Sequence, residues 1–321
     1  MIAWPPRNDA RAGRFRRPSQ DPIEPAERPV QRLPVIGQSF VHSAVEAVQR
    51  AAFTAVGLEI EIEPWERRPH ELAAAIEALR GEEFAGALIA APHKERAAGL
   101  VNSLSADARA TGAVNLIVRE GPRLRGHNTD VDGVRAGLIA LLPATQGTWP
   151  KQAVLLGAGG GARAVVGVLI SAGMLRITVF NRHLHRAEQM VAHFTKGARH
   201  MELRAMPWHE TILEAELSRA KLLVNASDIR VEEGASPIPA GLLRRELYLL
   251  DLVLNHPTTP LMEEVRARGG SVVNGQASFL AGSAVTFELV TGRTPPAEVM
   301  RSALAAELGL PEEGIAAVVG D

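Results

Sequence analysis

The chain of 321 residues contains no cysteine, which excludes disulfide bonds, thiol catalysis and cysteine-ligated metal sites. Its net charge of only −1 argues against nucleic-acid binding as the main task. No apolar run approaches the roughly 18 residues that a membrane-spanning helix needs. We therefore expect a globular protein of the cytoplasm that acts on a small molecule, as a monomer or a homodimer, with no membrane, nucleic-acid or metal partner.

The first 32 residues differ from the rest of the chain. They contain seven arginines and six prolines among few apolar residues, and they lack the apolar core of a secretory signal. This composition predicts a disordered or loosely attached extension. A basic arm that touches a partner or an anionic surface is the alternative, and the composition is compatible with both.

From residue 33 onward, strand signals alternate with helix signals, which predicts an α/β fold with mostly parallel sheets. A first series contains strands at 33–36, 58–62 and 84–90, a hairpin at 114–118 and 123–125, and a connecting helix at 131–142. A second series begins with a strand at 153–156 and continues with strands at 177–180, 222–225 and 247–253. Two helices, at 276–291 and 296–308, close the chain.

A glycine-rich turn opens the second series. The strand at 154–156 runs into Gly157-x-Gly159-x-x-Ala162 and then into an apolar helix at 164–170, which is the context that a dinucleotide-binding turn requires. A pyrophosphate would bind the amides at the start of that helix. The predicted cofactor contacts here are Gly157, Gly159, Gly160, Gly161 and Ala162. The alternative is a glycine-rich turn without a ligand.

The next strand ends at Asn181 and Arg182, and Arg186 follows one helical turn later. An NAD site would usually carry an acid here for the ribose 2′-hydroxyl, whereas guanidinium groups suit a 2′-phosphate. We therefore predict NADP rather than NAD. Asn225 and Ser227, at the end of a later strand, are predicted to face the nicotinamide half of the cofactor, with a plain strand cap as the alternative.

Lys94 and Asp130 are the predicted catalytic pair. Oxidation of an alcohol needs a group within hydrogen-bond reach of the hydroxyl, and Lys94 would supply it while Asp130 orients the ammonium. Asn115 would bind a second substrate hydroxyl. Taken singly, Lys94 is equally compatible with a solvated first helical turn and Asp130 with a helix N-cap.

The order and the residues of these sequence motifs resemble the shikimate dehydrogenase family over roughly residues 33–292. The matching phrases are Val35-Ile36-Gly37, His42-Ser43, Pro92-His93-Lys94-Glu95, Gly112-Ala113-Val114-Asn115, Asn128-Thr129-Asp130, Gly157-Ala158-Gly159-Gly160, Asn181-Arg182, Asp251, Thr259-Pro260-Leu261, Asn274-Gly275 and Phe287. The resemblance implies a catalytic domain formed by 33–130 with 275–321, and an NADP-binding Rossmann domain at 131–274. It also implies NADP-dependent interconversion of shikimate and 3-dehydroshikimate, in aromatic amino acid biosynthesis.

The departures from the family pattern fall on positions that the resemblance assigns to the substrate. Ser43 of the family's carboxylate-binding serine pair remains, although Ser43 and Glu46 also form a helix capping box. Five other polar residues of the family pattern are absent. Val45 replaces the second serine of the pair, Leu88 an asparagine and Ala90 a threonine. Leu254 replaces a tyrosine and Gly282 a glutamine. Each lost partner costs roughly 1–3 kcal/mol of binding free energy. We expect a more apolar pocket, roomier at Gly282, and a substrate other than shikimate.

The leading hypothesis is therefore an NADP-dependent oxidoreductase that acts on a hydroxyl or ketone of a small cyclic, carboxylated molecule. Turnover of shikimate or quinate stays open, because other residues can compensate. A non-catalytic NADP-binding sensor with a lost substrate site is the alternative, and the retained Lys94 and Asp130 count against it. A folate- or glutamyl-type dehydrogenase would share the two-domain architecture, but the motifs Pro92-His93-Lys94 and Asn128-Thr129-Asp130 argue against it.

Overall fold

The computed structural model describes residues 31–38, 44–142, 149–195, 201–227 and 234–311. The predicted basic extension lies outside these ranges except for its last two residues. Within the described ranges the chain forms two six-stranded sheets and one two-stranded pair, and helices connect the strands. The predicted α/β fold class is confirmed.

The first sheet is mixed. Its half of the chain contains the strands β1 (Gln31–Arg32), β2 (Val35–Gly37), β3 (Ile60–Glu61), β4 (Pro64–Glu66), β5 (Gly86–Ile89), β6 (Ser103–Leu104), β7 (Leu116–Glu120) and β8 (Arg123–His127). The helices are α1 (Ala44–Ala55), α2 (Leu72–Ala78), α3 (Lys94–Ala97) and α4 (Ala106–Thr111). The strand order is β4-β2-β5-β7-β8-β6, with β7 antiparallel to both of its neighbours, while β1 pairs with β3 separately.

The second sheet is entirely parallel, with the order β11-β10-β9-β12-β13-β14. Helix α5 (Asp130–Leu141) leads from the first sheet to the second. The strands are β9 (Gln152–Leu156), β10 (Arg176–Phe180), β11 (Glu202–Met206), β12 (Leu222–Asn225), β13 (Tyr248–Asp251) and β14 (Ser271–Val273). The helices are α6 (Gly160–Ser171), α7 (Leu184–Thr195), α8 (Glu210–Leu217) and α9 (Pro260–Ala267), with a 3₁₀ turn at Ala240–Leu242. The central strands are buried along almost their whole length, as expected for parallel strands covered on both faces.

Two C-terminal helices return to the first sheet. These are α10 (Gly275–Thr291), which packs against α5, and α11 (Ala297–Leu308), which packs against α1. The rings of Phe53 on α1 and Phe287 on α10 stack with centroids 5.5 Å apart in a shared hydrophobic core. Helix α10 is thereby anchored to α1 while it packs against α5. Among the described residues, none of the helices combines the length and apolar character that crossing a bilayer requires.

Five strands have no counterpart in the expectation from sequence: β1, β4, β6, β11 and β14. All five lie at the edges of their sheets and are only partly buried. An edge strand has neighbours on one side only, so its sequence carries a weaker apolar signal than a central strand.

Candidate active site

A cleft of about 500 Å³ lies where the two sheets face each other. Its walls come from the carboxyl ends of β5 in the first sheet and of β9, β10 and β12 in the second, and from α10. The carboxyl edge of parallel strands is where ligands bind in open α/β sheets. The cleft is therefore the candidate active site.

Lys94 and Asp130 meet in this cleft. Lys94 opens α3 shortly after β5, and Asp130 opens α5 shortly after β8. Lys94 Nζ lies 2.5 Å from Asp130 Oδ2, and the two side chains are 21% and 25% exposed. Both groups thus combine an ion pair with access to a ligand in the cleft. The structure brings the two predicted catalytic residues together.

The side chain of Asn115 holds the other oxygen of Asp130. Its Nδ2 donates to Asp130 Oδ1 and to Thr129 Oγ1, both at 2.9 Å, and its Oδ1 accepts from the backbone N–H of Thr129 at 2.8 Å. The hydroxyls of Thr129 and Thr286 lie 2.8 Å apart and are nearly inaccessible to solvent. A continuous hydrogen-bonded network therefore links α10 to the ion pair. The sequence analysis missed Thr286, whose only signal is a hydroxyl within an apolar helix.

The predicted cofactor turn lies against this pair. Gly157 has φ +106°, and a Cβ added there would come within 2.5 Å of the carbonyl oxygen of Ala226, so glycine is required. A Cβ at Gly160 would come within 2.7 Å of Lys94 Cδ, which places the turn in contact with the lysine stem. Added Cβ atoms at Gly159 and Gly161 would meet nothing within 4 Å, leaving open space beside the start of α6. Ala162 is fully buried, which fits close helix–strand packing.

The polar residues after β10 line the far end of the cleft. Asn181, Arg182 and Arg186 all belong to its wall, and both arginines are exposed. Asn181 Nδ2 donates to the carbonyl oxygen of His183 at 2.9 Å, which shapes the turn between β10 and α7. His183 also lines the cleft, although the sequence analysis assigned it no role.

Asn225 and Ser227 occupy different environments. Asn225 is buried and donates to Asp251 Oδ1 at 2.9 Å, whereas Ser227 lines the cleft. Asn225 Oδ1 in turn accepts from the Ser227 hydroxyl at 2.8 Å. Asp251 also accepts from the Thr259 hydroxyl at 2.7 Å. Burial raises the pKa of the Asp251 carboxyl above its ordinary value, against the opposing effect of these hydrogen bonds.

The divergent positions lie in the cleft or beside it. Val45, Leu88, Ala90 and Gly282 line it, and Leu254 packs against the adjoining hydrophobic core. Ser43 lies outside the described residues. The expectation of extra room at Gly282 is wrong, because a Cβ there would come within 2.9 Å of the carbonyl oxygen of Thr129. Glycine at this position lets α10 approach the start of α5.

One further contact joins the cofactor turn to the catalytic side. Arg163 on α6 is 7% exposed; its Nη2 lies 3.1 Å from Glu95 Oε2 and its Nη1 donates to the carbonyl oxygen of Thr111 at 3.2 Å. Glu95 follows Lys94 directly, so this arginine links α6 to the helix that carries the lysine. No cluster of metal-ligating side chains is found in the described ranges.

Two family models match the chain. The shikimate dehydrogenase substrate binding domain matches residues 35–117, and shikimate / quinate 5-dehydrogenase matches residues 144–226. A shikimate dehydrogenase (NADP(+)) of Symbiobacterium thermophilum is 34% identical over 283 residues, which cover 87% of this chain and 95% of that protein. The chain belongs to the shikimate dehydrogenase family. The resemblance inferred from the sequence phrases is confirmed.

Solved structures of related enzymes superpose on the chain. Shikimate 5-dehydrogenase of Thermus thermophilus, in complex with NADP(H) and shikimate, gives a TM-score of 0.73 at 32% identity over 86% of this chain and 99% of that one. A ligand-free 5-ketofructose reductase of a Gluconobacter strain gives 0.70 at 26% identity, over 86% of this chain and 98% of that one. Proteins similar to this chain thus bear the names of enzymes for different substrates.

The buried Asp251 predicts a pH dependence of stability. Because its pKa is raised in the folded state, the folded protein holds this proton more tightly than the unfolded chain. The stabilisation is therefore complete below about pH 4, the ordinary carboxyl pKa, and is lost as pH rises towards the folded pKa. We expect the stability advantage of the wild type over Asp251→Asn to shrink from pH 4 to pH 8. Denaturant unfolding at a series of pH values measures it.

Glu82→Gln is the control for this series, because Glu82 is an exposed acid remote from the cluster. Its stability difference from the wild type should change little over the same pH range. A wild-type advantage over Asp251→Asn that grows with pH would contradict the assignment of the raised pKa.

Proposed function

We propose that the chain is an NADP-dependent oxidoreductase that transfers hydride between nicotinamide and a ring hydroxyl or ketone of a small cyclic molecule. The observation that carries this proposal is the position of the Lys94–Asp130 ion pair directly against Gly160 of the glycine turn. This position puts a proton-transfer group and a dinucleotide-binding turn in one cleft. Membership of the shikimate dehydrogenase family supports the same activity.

Lys94 is the proposed general acid/base. In the direction of alcohol oxidation its Nζ accepts the hydroxyl proton, and in the direction of ketone reduction it returns that proton to the oxygen. Asp130 holds the Nζ at 2.5 Å and, with Asn115 on its second oxygen, keeps the lysine in one orientation. Fixed orientation lowers the barrier, because the reacting groups are already positioned before reaction.

The cofactor half of the cleft fits a dinucleotide with a 2′-phosphate. The open space at Gly159 and Gly161 beside the start of α6 suits a pyrophosphate. Arg182 and Arg186 supply the positive charge for the 2′-phosphate, and Ser227, which also lines the cleft, is proposed to face the nicotinamide. Bound nicotinamide supplies the hydride acceptor or donor that no side chain can provide.

The predicted domain division and setting belong to the same proposal. Residues 33–130 with 275–321 form the catalytic domain and 131–274 the NADP-binding domain, and the packing of α10 and α11 against α1 supports this division. The small net charge supports action on a small molecule without nucleic acid. We place the enzyme in the cytoplasm, as a monomer or a homodimer.

The alternative, a non-catalytic NADP-binding sensor, is not favoured. A protein without turnover has no need for a hydrogen-bonded ion pair that is exposed to its ligand cleft. Lys94, Asp130 and Asn115 retain such an arrangement.

Activity is tested with NADP and a panel of shikimate, quinate and other cyclic alcohols. We expect Lys94→Ala to lower kcat by roughly 10²–10⁴, the usual contribution of a general acid/base, while the Kd for NADP stays unchanged. Lys151→Ala, at an exposed lysine outside the cleft, is the matched control. Turnover that survives in Lys94→Ala would refute the assignment, and NADP binding without turnover of any alcohol would favour the sensor.

Cofactor choice is tested by removing the two arginines. Charge-assisted hydrogen bonds contribute roughly 1.5–3 kcal/mol each, so Arg182→Ala and Arg186→Ala should each weaken NADP binding about 10- to 100-fold. Affinity for NAD should hardly change, since NAD lacks the 2′-phosphate. Fluorescence titration measures both constants, with Arg245→Ala at an exposed arginine as control. Equal weakening of NAD and NADP would rule out 2′-phosphate recognition.

Thr286 is proposed as a positioning residue, acting through Thr129 and Asn115 on Asp130. Loss of one hydrogen bond is worth about 0.5–1.5 kcal/mol, so Thr286→Val should lower kcat roughly 2- to 10-fold with little change in KM. The pH–rate profile should shift as well, and Thr286→Ser should restore both. In the control Thr291→Val, the lost hydroxyl bonds the carbonyl oxygen of Phe287, in its own helix and away from the ion pair. A change confined to thermal stability would mean that Thr286 is merely structural.

A further inference from the structure

The substrate side of the cleft has a continuous apolar wall. Val35 and Leu88 belong to the buried core of the first domain, and Val45, Leu254 and Phe279 pack against that same core. Four of the five also line the cleft, namely Val35, Val45, Leu88 and Phe279. Two of these four, Val45 and Leu88, occupy positions where the family resemblance leads one to expect polar substrate contacts. A ligand surface that faces this wall is therefore best apolar.

Within the described ranges, the charged side chains that line the cleft leave no unpaired cation for a carboxylate at this wall. Lys94 is paired with Asp130, and Glu95 is paired with Arg163. The guanidinium groups that line the cleft there are those of Arg182 and Arg186, at the proposed cofactor end. A carboxylate placed against the wall would lose its hydration without gaining an unpaired cation.

Most polar groups beside the ion pair are already satisfied. Both Nδ2 hydrogens of Asn115 are donated within the protein, and its Oδ1 accepts from Thr129. The hydroxyls of Thr129 and Thr286 bond to each other. These three side chains therefore offer little capacity to a polyhydroxylated ligand.

Ser283 differs from this satisfied set. It lines the cleft from α10, and within the described part of the chain its hydroxyl makes no hydrogen bond. Its backbone carbonyl accepts from Gln49 Nε2 at 2.8 Å, which fixes this turn of α10 against α1. One hydroxyl on a fixed turn is thus available to a ligand, in the same cleft as the apolar wall.

On the basis of the proposed function, we propose that the substrate is an uncharged cyclic alcohol, or its ketone, with an alkyl group facing Val45, Leu88 and Phe279. One further polar group of the ring bonds the Ser283 hydroxyl. The reacting hydroxyl faces Lys94. This substrate class differs from shikimate, which has a carboxylate and three hydroxyls to satisfy.

Binding in dead-end complexes tests the proposal without turnover, since an alcohol and NADPH are both in their reduced form. The full chain, saturated with NADPH, is titrated calorimetrically with shikimate, with a dihydroxycyclohexanecarboxylate, and with the methylcyclohexanediol of the same ring pattern. The last two differ only by methyl in place of carboxylate. We expect the methyl compound to bind at least tenfold more tightly than the carboxylate, which corresponds to about 1.4 kcal/mol.

Tighter or equal binding of either carboxylate overturns the proposal, and so does the absence of binding by all three. Failure of the proposed function is a separate result: the methyl compound binds, yet no Lys94-dependent NADP reduction follows.

Two variants locate the contacts. Val45→Ser combined with Leu88→Asn should reduce the preference for methyl over carboxylate at least tenfold. Ser283→Ala should weaken the methyl compound about tenfold and leave shikimate unchanged. Ser171→Ala is the matched control, because that hydroxyl bonds the carbonyl oxygen of Gly167 in its own helix, outside the cleft. Unchanged NADPH affinity shows that each variant is folded. Unchanged binding of the diol by Ser283→Ala would show that Ser283 does not contact the substrate.

Discussion

The ion pair between Lys94 and Asp130 is the constraint on which the rest of the site depends. The two residues open helices that follow different strands, so the pair forms only if β5 and β8 end at the same edge of the sheet. The antiparallel strand β7 lies between them and begins at Leu116. Asn115, whose side-chain amide donates to Asp130, directly precedes this strand. The mixed order of the first sheet therefore brings Lys94, Asp130 and Asn115 together.

The second sheet is organised around a different requirement, close approach of backbone to backbone. Gly157 passes the carbonyl of Ala226 at a distance that no side chain tolerates, and Gly160 passes the stem of Lys94. Arg163 adds a buried link to Glu95 beside that lysine. The two halves of the cleft are thus positioned by contacts between α6 and α3.

Much of this could be predicted from the sequence, for reasons visible in particular residues. The strand before Gly157 and the strand ending at Asn225 are largely apolar, because both faces of a central parallel strand are buried. Lys94 and Asp130 could be predicted as site residues from the sequence motifs around them. The contacts of Thr286 and Arg163 could not be foreseen, since each joins residues far apart in sequence through side chains of ordinary type. Glycine at position 282 predicted extra space in the pocket, whereas in the structure it permits close packing of α10 against the start of α5. Which of the two roles a glycine has depends on the neighbouring helix, which the sequence alone does not show.

The network from Thr286 to Lys94 closes within the protein and involves no atom of the apolar wall. Such a preorganised centre keeps its geometry whichever molecule enters the cleft. The chemistry and the choice of substrate are consequently separable in evolution. If Val45, Leu88 and Ser283 contact the substrate as proposed, exchanges at these positions change the substrate while Lys94, Asp130 and Asn115 keep their arrangement.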